Sequence, residues 1–391
     1  MASIPGLRPT WLEINLDNLA HNMRETKKLV REGALLMAVV KGDAYGHGAV
    51  VSAKIFLENG ADWLGVATLT EALELRKAGY EVPILVLGYT PESQYVELVE
   101  ADVRAAIYNV DHAASLSKVA MERSKRARIH IKIDSGLGRI GFLPTEESIA
   151  DIMKISKLPG VEIEGIFTHF AVAGIPDKSY TRQQFNTFMS VVEELKSRGL
   201  EIPFKHASAS SAIIDLPEYN LNMVRAGTML YALFSTKELS EDKSMLLPAL
   251  ALKTKVSNVK TVPQGTGVSY GLTFVTKRES RIGTLPIGFA DGYKSVLSNK
   301  GYVGIRGSRV PVVGIVCMDQ LMIDLTGVDG AKIGDEVVLF GYGDRSSPRI
   351  DEFAAWADTH VHEVACSITR RVPRVYISDG KVVKVVDHLL A

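Results

Sequence analysis

A lysine closes the apolar run Met37-Ala38-Val39-Val40-Lys41, and a glycine-rich stretch, Gly42-Asp43-Ala44-Tyr45-Gly46-His47-Gly48, follows it. An ammonium at the end of a buried strand is costly, because desolvation penalises the charge and lowers the pKa. A neutral amine held in such a place is the reagent of Schiff-base chemistry. A strand-ending lysine whose head reaches solvent is the alternative that this stretch alone leaves open. The glycines flanking His47 let the backbone bend sharply and approach a ligand closely.

Two further stretches carry chemistry. In Ile131-Lys132-Ile133-Asp134-Ser135-Gly136-Leu137-Gly138-Arg139, Lys132 and Asp134 share a strand face, and glycines form a loop that presents Arg139. A guanidinium there can hold a carboxylate or phenolate by paired hydrogen bonds; a solvated surface arginine is the plainer alternative. In Met223-Val224-Arg225-Ala226-Gly227-Thr228, a buried arginine at a strand end precedes a glycine. Ser210 and the N–H groups of Gly227 and Thr228 are candidate phosphate partners, as turns and helix starts often are. His169, after Ile166-Phe167-Thr168, is by itself more often a satisfied core histidine than a ligand. Tyr270, beside glycines, acts as acid or base only if a cation lowers its high pKa. His360 and His362 have no cysteine or carboxylate set near them in sequence, so no metal is expected. Dinucleotide and P-loop glycine fingerprints are absent.

Eight strand-like runs, from Leu35 to Arg225, position these residues: 35–41, 63–67, 84–87, 103–108, 128–134, 161–170, 204–207 and 222–225. Nearly all are separated by helical stretches, including 49–59, 70–78, 111–123, 146–157 and 180–198. Such alternation predicts a parallel sheet, and eight units predict a (β/α)8 barrel of TIM type, with a doubly wound open sheet as the alternative. The barrel is favoured because Lys41, Asp134, Thr168, His169, His206 and Arg225 all fall at or just past the carboxyl ends of runs. Those ends converge on one mouth in a barrel. Ahead of the runs, Asp17 is expected to cap a helix ending near Val30. From Leu246 short strand-like runs dominate, beginning with an alternating one at 249–262, and helical spacing returns only at 350–357. The expected division is therefore a barrel over 1–245 and a mainly β domain over 246–391.

Lysine plus arginine (45) balances aspartate plus glutamate (45), which argues against nucleic acid as a partner. No apolar run reaches the length of a membrane span, and Met1–Pro9 has no signal-peptide core. Two cysteines, Cys317 and Cys366, are too few for a disulfide framework, so a cytoplasmic location is expected.

With these segments assembled, the chain resembles the alanine racemases, pyridoxal-phosphate enzymes made of a barrel and a β domain. The likeness spans essentially the whole chain. It rests on Ala38-Val39-Val40-Lys41 with Ala44-Tyr45-Gly46-His47-Gly48, on Lys132-Ile133-Asp134-Ser135-Gly136 with Gly138-Arg139, and on Met223-Val224-Arg225. Gly267-Val268-Ser269-Tyr270-Gly271, Cys317-Met318-Asp319 and Arg371-Val372-Pro373-Arg374 add to it. The resemblance implies interconversion of L- and D-alanine, supplying D-alanine for peptidoglycan, by two bases acting on an aldimine of pyridoxal 5'-phosphate. It implies that Lys41 carries the cofactor and serves one face, while Tyr270 from the partner of a homodimer with shared active sites serves the other. It also implies Arg225 facing the pyridine nitrogen with His169 nearby. Tyr45, Ser210, Gly227, Thr228 and His362 would surround the phosphate. Arg139 would sit near the ring oxygen and the substrate carboxylate, with Met318 offering its N–H. Lys132 matches a position that is carbamylated in many relatives. Ala209, Phe289 and His362 stand where asparagine, tyrosine and tyrosine are usual. A serine or broad-specificity racemase is thus the alternative, and a pyridoxal-phosphate-dependent decarboxylase a more distant one.

Overall fold

The computed structural model describes residues 6–234 and 245–390. Residues 1–5 of the stretch read for a signal peptide therefore lie outside the described residues. Among the described residues, no helix is long and apolar enough to cross a membrane.

The chain begins with strand β1 (Thr10–Asn15) and a helix over Leu16–Leu29. The helix is capped by Asn15, whose side chain accepts from Asn18 N at 3.0 Å, not by Asp17. Asp17 is spent elsewhere: its carboxylate accepts from Ser378 Oγ at 2.6 Å and from Asp379 N at 2.7 Å.

Eight parallel strands follow: β2 (Leu35–Val39), β3 (Trp63–Val66), β4 (Ile84–Val86), β5 (Arg104–Ile107), β6 (Ala127–Lys132), β7 (Val161–Phe167), β8 (Phe204–His206) and β9 (Met223–Ala226). They form one sheet in the order β8-β7-β6-β5-β4-β3-β2-β9. The ring closes between its end strands through one bridge, Ala209 to Arg225, where Arg225 N donates to Ser208 O at 3.1 Å. The fold is thus the expected (β/α)8 barrel. Side chains alternate across each strand: Leu36, Ala38, Leu64, Val66, Ile84 and Val86 meet the helix layer. Met37, Trp63, Leu85 and Met223 form a separate apolar plug inside the ring. The interior positions at and near the carboxyl ends are different in kind, for they carry His130, Lys132, His206 and Arg225, all buried.

The second sheet has ten strands, in the order 258–262, 280–285, 321–324, 308–313, 302–305, 336–341, 250–255, 10–15, 374–378 and 381–386. Strand β1 is hydrogen-bonded into its middle, antiparallel to β10 (Leu250–Lys255) and parallel to Arg374–Ser378. Residues 10–15 therefore cross the division expected at 245/246. Thr10 and Thr254 share a hydroxyl hydrogen bond of 2.8 Å, and Lys253 Nζ lies 2.8 Å from Glu13 Oε1. The single alternating run expected over 249–262 is two strands, broken at Val256-Ser257, and its second half pairs with Ser280–Leu285. Besides the expected helix near Ile350, a further one covers Val361–Ser367. Its Val361, Val364 and Ala365 are buried, but two turns are too short for periodicity to announce.

Candidate active site

Lys41 leaves β2 at the barrel mouth and opens a turn of left-handed helix. Gly42 (φ 63°), Asp43 (φ 54°), Ala44 (φ 54°) and Tyr45 (φ 53°) all take positive φ. Left-handed geometry costs about 1–2 kcal/mol for each non-glycine residue, so other contacts must impose it. Ala44 N donates to Val40 O at 2.8 Å, Gly48 N to Asp43 O at 2.9 Å, and Ala49 N to Asp43 Oδ1 at 2.8 Å. Glu71 Oε1 accepts from Gly42 N at 2.7 Å, and its other oxygen from Ala67 N at 2.7 Å. The His47 ring is buried beneath the turn, with Nδ1 3.0 Å from the carbonyls of both Ala44 and Tyr45. Burial and the nearby Arg139 charge pull the Lys41 ammonium below its ordinary value. The amine is thereby moved toward its nucleophilic, neutral form.

Arg225 projects inward from β9 and is fully committed at one end. NH1 donates to His206 Nδ1 at 2.8 Å and to His206 O at 2.9 Å; NH2 donates to Thr168 O at 2.7 Å and Ala207 O at 2.8 Å. His169 Nδ1 lies 3.5 Å from NH2. A guanidinium has five N–H donors and no acceptor, so four are spent. Among the described residues, none accepts from the fifth, on Nε. Burial and the Arg139 charge push the guanidinium down to about 9, which leaves it charged at neutral pH. Burial, then the Arg225 charge, holds His169 and His206 well below their ordinary value, so both are neutral.

Asp134 organises the next loop instead of facing a substrate. Its carboxylate accepts from Gly136, Leu137 and Gly138 N on one oxygen and Arg139 N on the other, at 2.8–3.1 Å. Arg139 is thereby held at the mouth, close enough to Lys41, Arg225 and His169 to lower the pKa of each. Lys132 ends β6, donates to Ile133 O at 2.6 Å and lies 5.5 Å from the centroid of the Phe167 ring. Burial and the Arg225 charge push its ammonium down to about 7. Arg139 and Arg225 thus give the mouth a cationic wall suited to an anionic ligand.

On the opposite side of the turn, Tyr45, Ser210 and Gly227 enclose a cup. A Cβ added at Gly227 would stand 3.0 Å from Tyr45 Oη and 3.8 Å from Ser210 Oγ. Ser210 Oγ already accepts from Gly227 N at 3.0 Å and Met229 N at 3.2 Å, which leaves its own hydrogen to donate. Gly227 N, a phosphate candidate by its place in the sequence, is occupied by that serine. Thr228 follows at the start of the next turn. Tyr231, which sequence reasoning passed over, anchors the floor: its hydroxyl donates to Val39 O at 2.9 Å and its ring lies 5.0 Å from Tyr45. The unanticipated helix carries His362 to 6.1 Å from the Tyr45 ring and Cys366 to the back of Gly42.

Two expected members stand apart. Tyr270 and Met318 lie on the β half, 72% and 55% exposed. Among the described residues, no hydrogen bond ties either side chain to the barrel mouth. Phe289 is likewise exposed on that half.

Residues 14–234 match the family described as alanine racemase, N-terminal domain, and residues 249–376 match the alanine racemase C-terminal domain. Alanine racemase 2 of Caldanaerobacter subterraneus subsp. tengcongensis is 47% identical, covering 98% of each chain. The alanine racemase of Methanococcus maripaludis is also 47% identical, covering 94% of this chain and 99% of its own. Among solved structures, alanine racemase of Clostridium difficile 630 aligns with a TM-score of 0.93 at 41% identity, covering 97% of this chain and 99% of its own. The Bacillus anthracis alanine racemase with bound L-Ala-P aligns with a TM-score of 0.94 at 38% identity, covering 99% of each. With both halves matched in order, and relatives aligned over nearly their full lengths, the chain belongs to the alanine racemase family.

Proposed function

We propose that this enzyme interconverts L- and D-alanine with pyridoxal 5'-phosphate held at the barrel mouth. The observation that carries this reading is the desolvated Lys41 amine, set between a cup of hydroxyl donors and a wall of guanidinium groups. The residues present suit the cofactor. Tyr45, Ser210 and Thr228 offer neutral donors to a phosphate, and the unspent Nε–H of Arg225 offers one to a pyridine nitrogen. When bound, the cofactor supplies an electron-withdrawing ring that makes the hydrogen on the substrate Cα acidic.

Lys41 Nζ then removes or returns that proton on one face, and burial, by lowering its pKa, favours the amine form this needs. The phenol of Tyr270 from a second copy serves the other face. This agrees with its exposure and with the lack, among the described residues, of a hydrogen bond holding its side chain. Arg225 donates a hydrogen bond without giving up its proton, which moderates charge build-up on the ring and favours reprotonation at Cα. Arg139, with the Met318 N–H of the second copy, receives the substrate carboxylate. Carbamylation of Lys132 is supported by an amine pushed down to about 7 and by the advantage of exchanging a cation for an anion beside Arg139. We assign the active form as a homodimer in the cytoplasm, sharing two sites across a two-fold axis. The barrel over 1–245 holds the cofactor, and the domain over 246–391, with β1 added, serves the partner's site.

A chiral assay across alanine, serine, lysine and arginine tests this directly, with solvent deuterium followed into Cα. Racemisation of alanine with deuterium uptake is the expected result. Serine turned over as fast as alanine would support the broad-specificity reading that Ala209, Phe289 and His362 suggest. Release of carbon dioxide would overturn the racemase assignment.

A further inference from the structure

Behind Arg225 the barrel interior contains a chain of polar groups that the proposed chemistry does not use. His206 Nε2 lies 2.8 Å from His130 Nδ1, and His130 Nε2 lies 3.6 Å from Glu164 Oε2. Both imidazoles are completely buried. Glu164 in turn accepts from Arg104 Nε at 3.0 Å, and Arg104 NH1 donates to Asp102 Oδ2 at 3.1 Å. The arrangement is built into the strands. The pairing of β6 with β7 shifts register between Ile129 and His130, so that Ile129 faces Ile163 and His130 faces Gly165. Glu164 is the extra residue of that bulge, so Glu164 and Gly165, neighbours that alternation would send to opposite faces, both lie beside His130. Gly165 is part of the same device, since a Cβ there would overlap the His130 ring.

The protons on this chain follow from donor chemistry. Arg225 can only donate, so His206 Nδ1 accepts and its hydrogen is on Nε2. That hydrogen goes to His130 Nδ1, which places the hydrogen of His130 on Nε2, directed at the Glu164 carboxylate. Burial lowers the pKa of both rings, so each carries one hydrogen. Burial alone would raise the Glu164 carboxyl, but the nearby His130 ring and the hydrogen bond from Arg104 outweigh that and keep it ionised.

We propose that Glu164 and His130 are positioning residues for Arg225: the carboxylate selects the tautomers of both histidines, so that His206 always presents a lone pair to the guanidinium. Without that selection the chain can reverse. His206 then carries its hydrogen on Nδ1, two donors face each other at NH1, and the guanidinium turns. Its one unspent N–H, on Nε, turns with it. The kinetic consequence rests on the reading that Arg225 faces the cofactor ring; the tautomer assignment does not.

The test uses full-length protein labelled with ¹⁵N-histidine, first without cofactor, in long-range ¹H–¹⁵N correlation spectra assigned with His130→Gln and His206→Gln. The wild type is expected to show both rings protonated on Nε2. Glu164→Leu is expected to bring in Nδ1-protonated rings, and Glu164→Gln, whose amide oxygen still accepts, to keep the wild-type pattern. In the loaded enzyme, Glu164→Leu is expected to lower kcat about tenfold, the effect of one misplaced hydrogen bond, while KM changes less than twofold. Glu164→Gln should restore most of that loss. Nδ1-protonated His206 in the wild type, or unchanged tautomers in Glu164→Leu, would overturn the relay. The wild-type spectrum decides this even if Glu164→Leu does not fold. Shifted tautomers with unchanged kcat would uphold the relay and remove Arg225 from the cofactor ring.

Discussion

In the barrel, seven of the eight contacts around the ring join strands one βα unit apart, and only the closure of β9 onto β2 spans the domain. The ten-stranded sheet is assembled the other way. It sets β1, from the start of the chain, between β10 and Arg374–Ser378, more than 200 residues further on. The chemistry follows the same contrast. Each barrel residue at the mouth is held by its own chain: Lys41 by the left-handed turn and Glu71, Arg139 by Asp134, Arg225 by His206 and three carbonyls. Tyr270 and Met318, on the β half, are mostly exposed and lack such anchors among the described residues. A locally built half anchors its own polar side chains, whereas Tyr270 and Met318 are left open on the surface of the other.

The largest expected effect breaks this contrast outright. Lys41→Ala should abolish racemisation and the cofactor's visible band, and Tyr270→Phe should lower kcat by about 10²–10⁴. Neither should alter the circular dichroism spectrum. If the two halves serve different copies, co-refolding the two inactive variants gives hybrid dimers with one intact site, and about a quarter of wild-type activity should return. No recovery in a mixture shown to contain hybrids would place Lys41 and Tyr270 in one chain's site.

A second effect probes the seam between the halves. Gly48 has φ +86°, and a Cβ there would overlap the Tyr376 hydroxyl of the second sheet. Gly48→Ala should therefore cost about 3 kcal/mol by urea unfolding, combining backbone strain with overpacking. A loss below half a kilocalorie would mean that the seam yields.

Acid should weaken the barrel before the sheet. Burial lowers His47 from its ordinary 6.5 to about 4, and His130, His169 and His206 are lowered too. The folded state keeps these rings neutral while the unfolded chain takes up protons below 6.5, so stability falls as pH drops from 6.5 toward 4. His47 alone contributes about 2 kcal/mol of that loss by pH 5. Denaturant midpoints at pH 7 and pH 5 measure it, and His47→Phe should flatten the slope if the ring packs.

The smallest effect concerns Asp17, whose bonds to Ser378 and Asp379 join the first helix to the second sheet at an exposed site. Asp17→Ala should cost about 1 kcal/mol, without the helix loss that a missing cap would produce.

Sequence alone was enough for the number and order of the βα units, because apolar periodicity is written locally and most of the barrel helices are long enough to show it. It was also enough to bring Lys41, His169, His206 and Arg225 toward one mouth, since all fall at or just past strand ends and a parallel barrel puts such ends together. Three features depended on distance. Strand β1 alternates like any strand, and nothing near Thr10 reveals that its partners begin at residues 250 and 374. Asp134 carries the same carboxylate whether it faces substrate or four loop amides. The Glu164–Gly165 pair is the last of them: alternation alone gives the two opposite faces, and only the bulge brings both beside His130. A period is a property of neighbours along the chain, whereas register, bulges and the direction of a hydrogen bond are decided by which strand lies alongside.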